Sequence, residues 1–226
     1  MTSISPIRIA ILDSGPLITL SQLDMLEAVF SFKQDVEIII TDVVLLEITS
    51  SRSPTKQVMD ILDFINNDRV TVVDTSAGDI VRTLFNVGKE IPPDFGEYSI
   101  QSYLLAAKEG KLPGDPTVVM FEDSWFEDHH VSLGNVHLLS TISFLKGLKE
   151  EGYIDSHTYK GVIDFLEKNT TRKSIDIEMT AGKITPPTSW KASLDNENKK
   201  TIKEKIESFR GKGNKNDSVS ESKYKP

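Results

Sequence analysis

Apolar residues along the chain fall into short runs separated by stretches of helical periodicity. Arg8–Leu12, Val36–Ile40, Arg69–Val73, Thr117–Phe121 and Asn135–Leu139 are runs of five residues rich in Ile, Val and Leu, which predicts five strands. Between them the spacing predicts helices: from Pro16 through Phe30, from Thr41-Asp42 onward, over Lys56–Asn66 and over Ile80–Phe85. "EYSIQSYLLAAKEG" reads as a helix ending at Gly110, Thr141–Glu151 as one stopped by Gly152, and Asp155-Ser156 as the cap of one reaching Lys168. Thr75–Gly78 reads as a turn, and Asn86–Gly96, with Pro92-Pro93, as a long loop. Strands alternating with helices imply parallel pairing through right-handed crossovers, hence an α/β class and a three-layer α/β/α sandwich with a mostly parallel central sheet.

The alternation runs out near Lys168. The predicted organisation is one domain over 7–170, a linker over 171–190 containing "TPPTS", and a C-terminal extension over 191–226. Within the extension Ile202, Ile206 and Phe209 form a narrow apolar stripe on a short helix, and the polar, lysine-rich stretch from Gly211 onward reads as disordered. The stripe can pack on the body or a partner, or the basic helix can hold RNA; a solvated extension is the plainer reading.

Charge sharpens this division. The chain of 226 residues carries a net −8, but residues 191–226 hold 10 Lys+Arg against 6 Asp+Glu, leaving 16 against 28 in the rest. An acidic body does not draw in a polyanion by its overall field, so handling nucleic acid would require a local basic patch, a metal ion or the basic extension. The absence of cysteine excludes disulfides, thiolate metal sites and a cysteine nucleophile. No apolar run approaches the ~20 residues of a membrane span, and the first residues lack signal-peptide character. The expected location is cytoplasmic, with no membrane partner.

The strand ends carry the chemistry. "IAILDSGPLITL" drives an apolar strand into Asp13, and "TVVMF" runs into Glu122-Asp123. Glu47 falls in the first turns of the helix after the second strand, and Glu97 in the first turn of the helix after the Pro-Pro loop. In an open α/β sheet all four positions face the crevice at the carboxyl ends of the strands. Clustered carboxylates repel unless protonated, paired or bridged by a cation, and Mg²⁺ or Mn²⁺ with its preference for oxygen ligands resolves the repulsion. Taken singly, Asp13 also reads as a helix N-cap, Glu47 and Glu97 as first-turn acids complementing the helix dipole, and Glu122-Asp123 as a turn. The adjacent His129-His130 read as surface residues. No Walker loop, GxGxxG or GxSxG is present, no histidine or lysine is placed to activate Ser14, and Gly15 stands where a phosphoaspartyl enzyme would need a second aspartate.

The opening "IAILDSGPLITLSQLDMLEAVF" resembles that of PIN-domain ribonucleases, in the subgroup with Asp-Ser followed by a Pro-Leu-Ile turn. "VEIIITDVVLLEIT", "DFGEYSIQSYLLA", "TVVMFEDSWFED" and "NVHLLSTISFLKGLKEEGYI" are similar, in the same order, to the later acidic segments and closing strand of that family, over roughly Ile7 to Lys168. The resemblance implies a metal-dependent endoribonuclease hydrolysing RNA. Asp13, Glu47, Glu97 and Asp123 would bind Mg²⁺ or Mn²⁺ as the catalytic set, with Ser14, Glu122 and Thr141 in support. It also implies a VapC-like toxin of a toxin–antitoxin pair, homodimeric and inhibited by a small antitoxin protein. The chain departs from the pattern in three places. Glu122-Asp123 leaves open which of the two faces the metal, Glu127 stands where the subgroup has an arginine, and Ser140 and Ser143 stand where glycines are common. A non-catalytic PIN-fold module binding nucleic acid or protein is the alternative, and a metal-dependent phosphatase or receiver-like domain a third reading.

Overall fold

The structure is a computed structural model that describes residues 6–50, 55–108, 115–122, 125–129, 135–169 and 190–213. Five strands, β1 (Ile9–Leu12), β2 (Glu37–Thr41), β3 (Val70–Val73), β4 (Thr117–Phe121) and β5 (Val136–Ser140), form one sheet in the order β3-β2-β1-β4-β5. Every pairing is parallel. Strands β1 and β4 are buried at every position and β2 at all but Glu37, which is why their sequences are continuous apolar runs rather than alternating ones. Edge strand β3 leaves Thr71 and Val72 exposed.

Helices cover the sheet as an α/β/α sandwich: α1 (Ser14–Gln22), α2 (Asp42–Thr49), α3 (Lys56–Ile65), α4 (Ser76–Asn86), α5 (Phe95–Lys108), the single turn α6 (Trp125–Asp128), α7 (Thr141–Glu150) and α8 (Ser156–Asn169). Most starts are chemically specified. The side chains of Thr41, Thr55, Thr75 and Ser140 accept hydrogen bonds from the amides of Val44, Val58, Gly78 and Ser143, capping α2, α3, α4 and α7. Asp155 does the same for α8, accepting from the Thr158 amide at 2.6 Å.

Two sequence expectations are corrected. The helix predicted through Phe30 stops at Gln22, and a 3₁₀ segment follows over Leu26–Ser31. Asp24 takes a left-handed conformation (φ 52°), the Met25 amide bonds back to the Leu20 carbonyl and the Asp24 amide to that of Ser21. This is a Schellman stop with aspartate where glycine is usual, so the sequence lacks the common signal. Likewise the turn expected over Thr75–Gly78 is the first turn of α4, because Thr75 is its cap and Gly78 already lies inside the helix. The stop at Gly152 is as expected, with φ 74° and a bond from the Tyr153 amide to the Leu148 carbonyl.

A C-terminal strap completes the fold. A 3₁₀ turn (Trp190–Ser193) leads into α9 (Lys199–Gly213). Trp190, Leu194, Ile202 and Ile206 are all buried in the core cluster. Trp190 packs against Phe32 and Phe144 and fills the space over Gly147, where a Cβ would lie 2.2 Å from its ring. Ser193 accepts from the Ile7 amide at 2.7 Å, Leu194 bridges Phe32, and the Asp195 amide donates to the Ser31 carbonyl. These partners precede β1 and β2, so the strap closes the amino-terminal end of the sheet. Of the predicted apolar stripe, Ile202 and Ile206 face the body; the expected linker, 171–190, lies almost wholly outside the described residues, as does everything beyond Gly213. Among the described residues no helix is long and apolar enough to cross a membrane.

Candidate functional site

Strand order places the acids. The chain moves from β1 outward to β2 and β3, then returns to the other side of β1 for β4 and β5. The order therefore reverses between β1 and β4, and in open parallel sheets the crevice at the carboxyl ends of such strands is where ligands bind. Asp13 ends β1 and Glu122 ends β4. The register sets Leu12 beside Met120, and the Asp13 amide donates to the Met120 carbonyl at 3.1 Å. Both carboxylates flank the reversal, and both are removed from solvent, at 2% and 8% exposure. Asp13 occupies the N-cap position of α1, yet its side chain makes no capping bond, unlike the four hydroxyl caps above.

Glu122 is held in place from α1. Its Oε2 accepts a hydrogen bond from Thr19 Oγ1 at 2.9 Å, and its stem crosses Gly15, where a Cβ would lie 3.1 Å from Glu122 Cβ. Gly15 thus supplies room for a carboxylate rather than a receiver-type second acid. Ser14 starts α1, half-buried at the same edge.

Glu47 and Glu97 meet at the start of α5. Glu47 Oε1 accepts from the Gly96 amide at 2.9 Å, so its charge rests on the positive end of α5 one residue before Glu97. A Cβ on Gly96 would lie 2.6 Å from Glu47 Oε2, so only glycine lets this carboxylate approach undisturbed. Ser99 ties the same turn down, donating to the Gly96 carbonyl and lying 2.5 Å from the Thr41 hydroxyl at the end of β2. Glu97 is 8% exposed. At the other side of the crevice Thr141 opens α7; it is buried, and its Oγ1 has no hydrogen-bond partner among the described residues.

A carboxylate that the sequence reading passed over, Asp42, lies at the carboxyl edge after β2 with a different role. It accepts from Thr75 Oγ1 and from Arg82, both at 2.8 Å, and sits over Gly78, where a Cβ would fall 1.7 Å from Oδ2. Already bound by a cation and a hydroxyl, it clamps α2 to α4. Sequence spacing does not distinguish it from Glu47, because Arg82 lies 40 residues away.

The structure therefore brings Asp13 to Glu122 across the β1–β4 reversal, and Glu47 to the turn that bears Glu97. Asp123 lies outside the described residues, as do His130 and the segment that follows. Among the described residues no three Asp, Glu or His side chains are gathered closely enough to hold an ion by themselves. The donors are all oxygens, two of them in cradles that a Cβ at Gly15 or Gly96 would crowd, and this chemistry suits a hard divalent cation such as Mg²⁺ or Mn²⁺. No family model matches the chain, and no match was found among curated proteins.

Proposed function

We propose that the chain is a Mg²⁺- or Mn²⁺-dependent endoribonuclease whose site lies at the β1–β4 reversal. The observation that carries this reading is that the two strands flanking the reversal both end on buried carboxylates, Asp13 and Glu122. Two acids held at the edge where parallel sheets bind ligands stand where ligands to a hard cation would be placed. Asp13, Glu47, Glu97 and Asp123 would hold the ion, which would supply an activated water and offset charge on the attacked phosphate. Thr19 fixes the Glu122 carboxylate, and the Gly96 amide fixes that of Glu47, so neither group must reorganise when substrate arrives. RNA as substrate, homodimerisation and an inhibitory antitoxin partner follow from the resemblance to PIN-domain toxins, and the cytoplasm is the location this reading takes.

The test is Mn²⁺ binding by calorimetry alongside cleavage of single-stranded RNA, for wild type and Asp13→Asn. Wild type is expected to bind and cleave, and the variant to lose binding and at least about a hundredfold in rate. A folded wild type that neither binds Mn²⁺ nor cleaves RNA would overturn the reading. It would favour the second one, a catalytically weak binding module.

A further inference from the structure

Beside the carboxylates lies a group of rings of which Trp125 belongs to the core while Tyr98 and His129 are exposed. Tyr98 follows Glu97 on α5, and Trp125 comes three residues after Glu122 on α6. The ring of Trp125 is met edge-on by Tyr98 at 5.0 Å and is stacked by His129 at 4.2 Å with an interplanar angle of 15°. Phe95 also meets Tyr98 edge-on, at 5.9 Å. Trp125 is the buried centre, 6% exposed, whereas Tyr98 is 42% exposed and His129 is open to solvent. His129 is held by its Nδ1, 2.8 Å from the Trp125 carbonyl, so its ring is oriented rather than loose.

We propose that Tyr98 and His129, backed by Trp125, form a stacking platform for unpaired nucleobases of a single-stranded RNA whose backbone crosses the carboxylate crevice. The proposal rests on the ribonuclease reading for its substrate. Sequence position joins the two sites: one ring neighbours Glu97 and another follows Glu122, so a base on the platform lies beside the strand ends. Charge argues for this mode of binding. The described body is acidic, and grip on phosphates by a broad positive field is not open to it. Stacking on aromatic faces is neutral, tolerates any base and needs the base unpaired. The two solvent-facing rings lie 6.3 Å apart and 69° to one another, so they offer two differently turned surfaces to bases.

The test uses the full chain in a chelating buffer, so that binding is read without cleavage. A fluorescently labelled six-nucleotide single-stranded RNA is titrated with wild type, Tyr98→Ala, Tyr98→Phe and His129→Ala, with a duplex of the same sequence as comparison. Each alanine variant is expected to bind about tenfold or more weakly, Tyr98→Phe to keep wild-type affinity, and the duplex to bind worse than the single strand. Thermal unfolding of each variant establishes that the protein is folded. If both alanine variants bind as wild type does, or the duplex binds as well as the single strand, the platform is overturned. Cleavage by wild type with Mn²⁺, measured in parallel, separates the two ideas. Cleavage with unchanged binding in the variants removes the platform alone, whereas neither binding nor cleavage by wild type removes both.

Discussion

Gly96 carries more information about the site than any single acid does. Its missing side chain lets the Glu47 carboxylate reach the α5 amide, and adding one methyl group places a carbon 2.6 Å from a charged oxygen. The oxygen sits at the end of a flexible side chain, so Glu47 can swing away. The lost charge-assisted hydrogen bond is offset in part by the better helix propensity of alanine, about 1 kcal/mol. Gly96→Ala is therefore expected to change stability by less than about 1 kcal/mol while weakening Mn²⁺ binding and cleavage by about tenfold or more. Denaturant unfolding and calorimetry on the same preparation check this. A variant with unaltered Mn²⁺ affinity would show that Glu47 merely caps α5. Asp42 and Glu47 illustrate what residue type leaves open: both are acids on α2, and only the distant Arg82 and Gly96 tell the clamp from the candidate ligand.

At the scale of elements, the junction between the strap and the α7–α8 turn has its own pH signature. Tyr153 is buried there, and its hydroxyl donates to the Asp195 carbonyl at 2.6 Å. Burial, reinforced by the nearby Asp195 and Glu151 carboxylates, pushes its pKa from the ordinary 10.0 up to about 12. The folded chain thus keeps the proton that the unfolded chain loses. Stability from this group is whole below pH 10 and drains away as pH rises toward 12. Tyr153→Phe is expected to cost about 1 kcal/mol at neutral pH through the lost hydrogen bond, and to flatten the decline of the unfolding midpoint across that alkaline window. An unchanged decline would assign it to other groups. Elements themselves were largely legible: the five strands match the apolar runs within a residue or so, and the three central ones are apolar because nearly every position in them is buried. The failures came where a stop or start used unusual chemistry, as with aspartate in the left-handed position at Asp24.

For the whole molecule, the strap changes what counts as the domain. Four buried side chains, Trp190 at the end of the predicted linker and Leu194, Ile202 and Ile206 beyond it, join the core. At about 1.5–3 kcal/mol each, their burial approaches the full stability of an ordinary domain, about 5–15 kcal/mol. A chain ending at residue 189 is expected to be unfolded or aggregated, with Phe32, Phe144 and Tyr153 uncovered. Circular dichroism and melting of the truncated and full chains test this. A truncated protein that melts cooperatively at the wild-type temperature would make the strap dispensable. The described strap grips the amino-terminal end of the sheet, opposite the carboxylates.

Local chemistry by itself determined the α/β class, the positions of the strands and the acids at their carboxyl ends. Burial and backbone pairing impose themselves on contiguous residues, and contiguous residues are what a sequence displays. Only the tertiary structure decided the strand order, and with it the fact that Asp13 and Glu122, 109 residues apart, flank one reversal. It also decided that Gly15 and Gly96 make room for carboxylates, that Asp42 is taken by Arg82, that Tyr98 meets Trp125, and that the last residue of the expected linker, Trp190, enters the core. Each of these depends on which residues a crossover brings together. Chain spacing records that only through close packing, where a glycine's missing Cβ or an indole's fit has no signature in neighbouring residues.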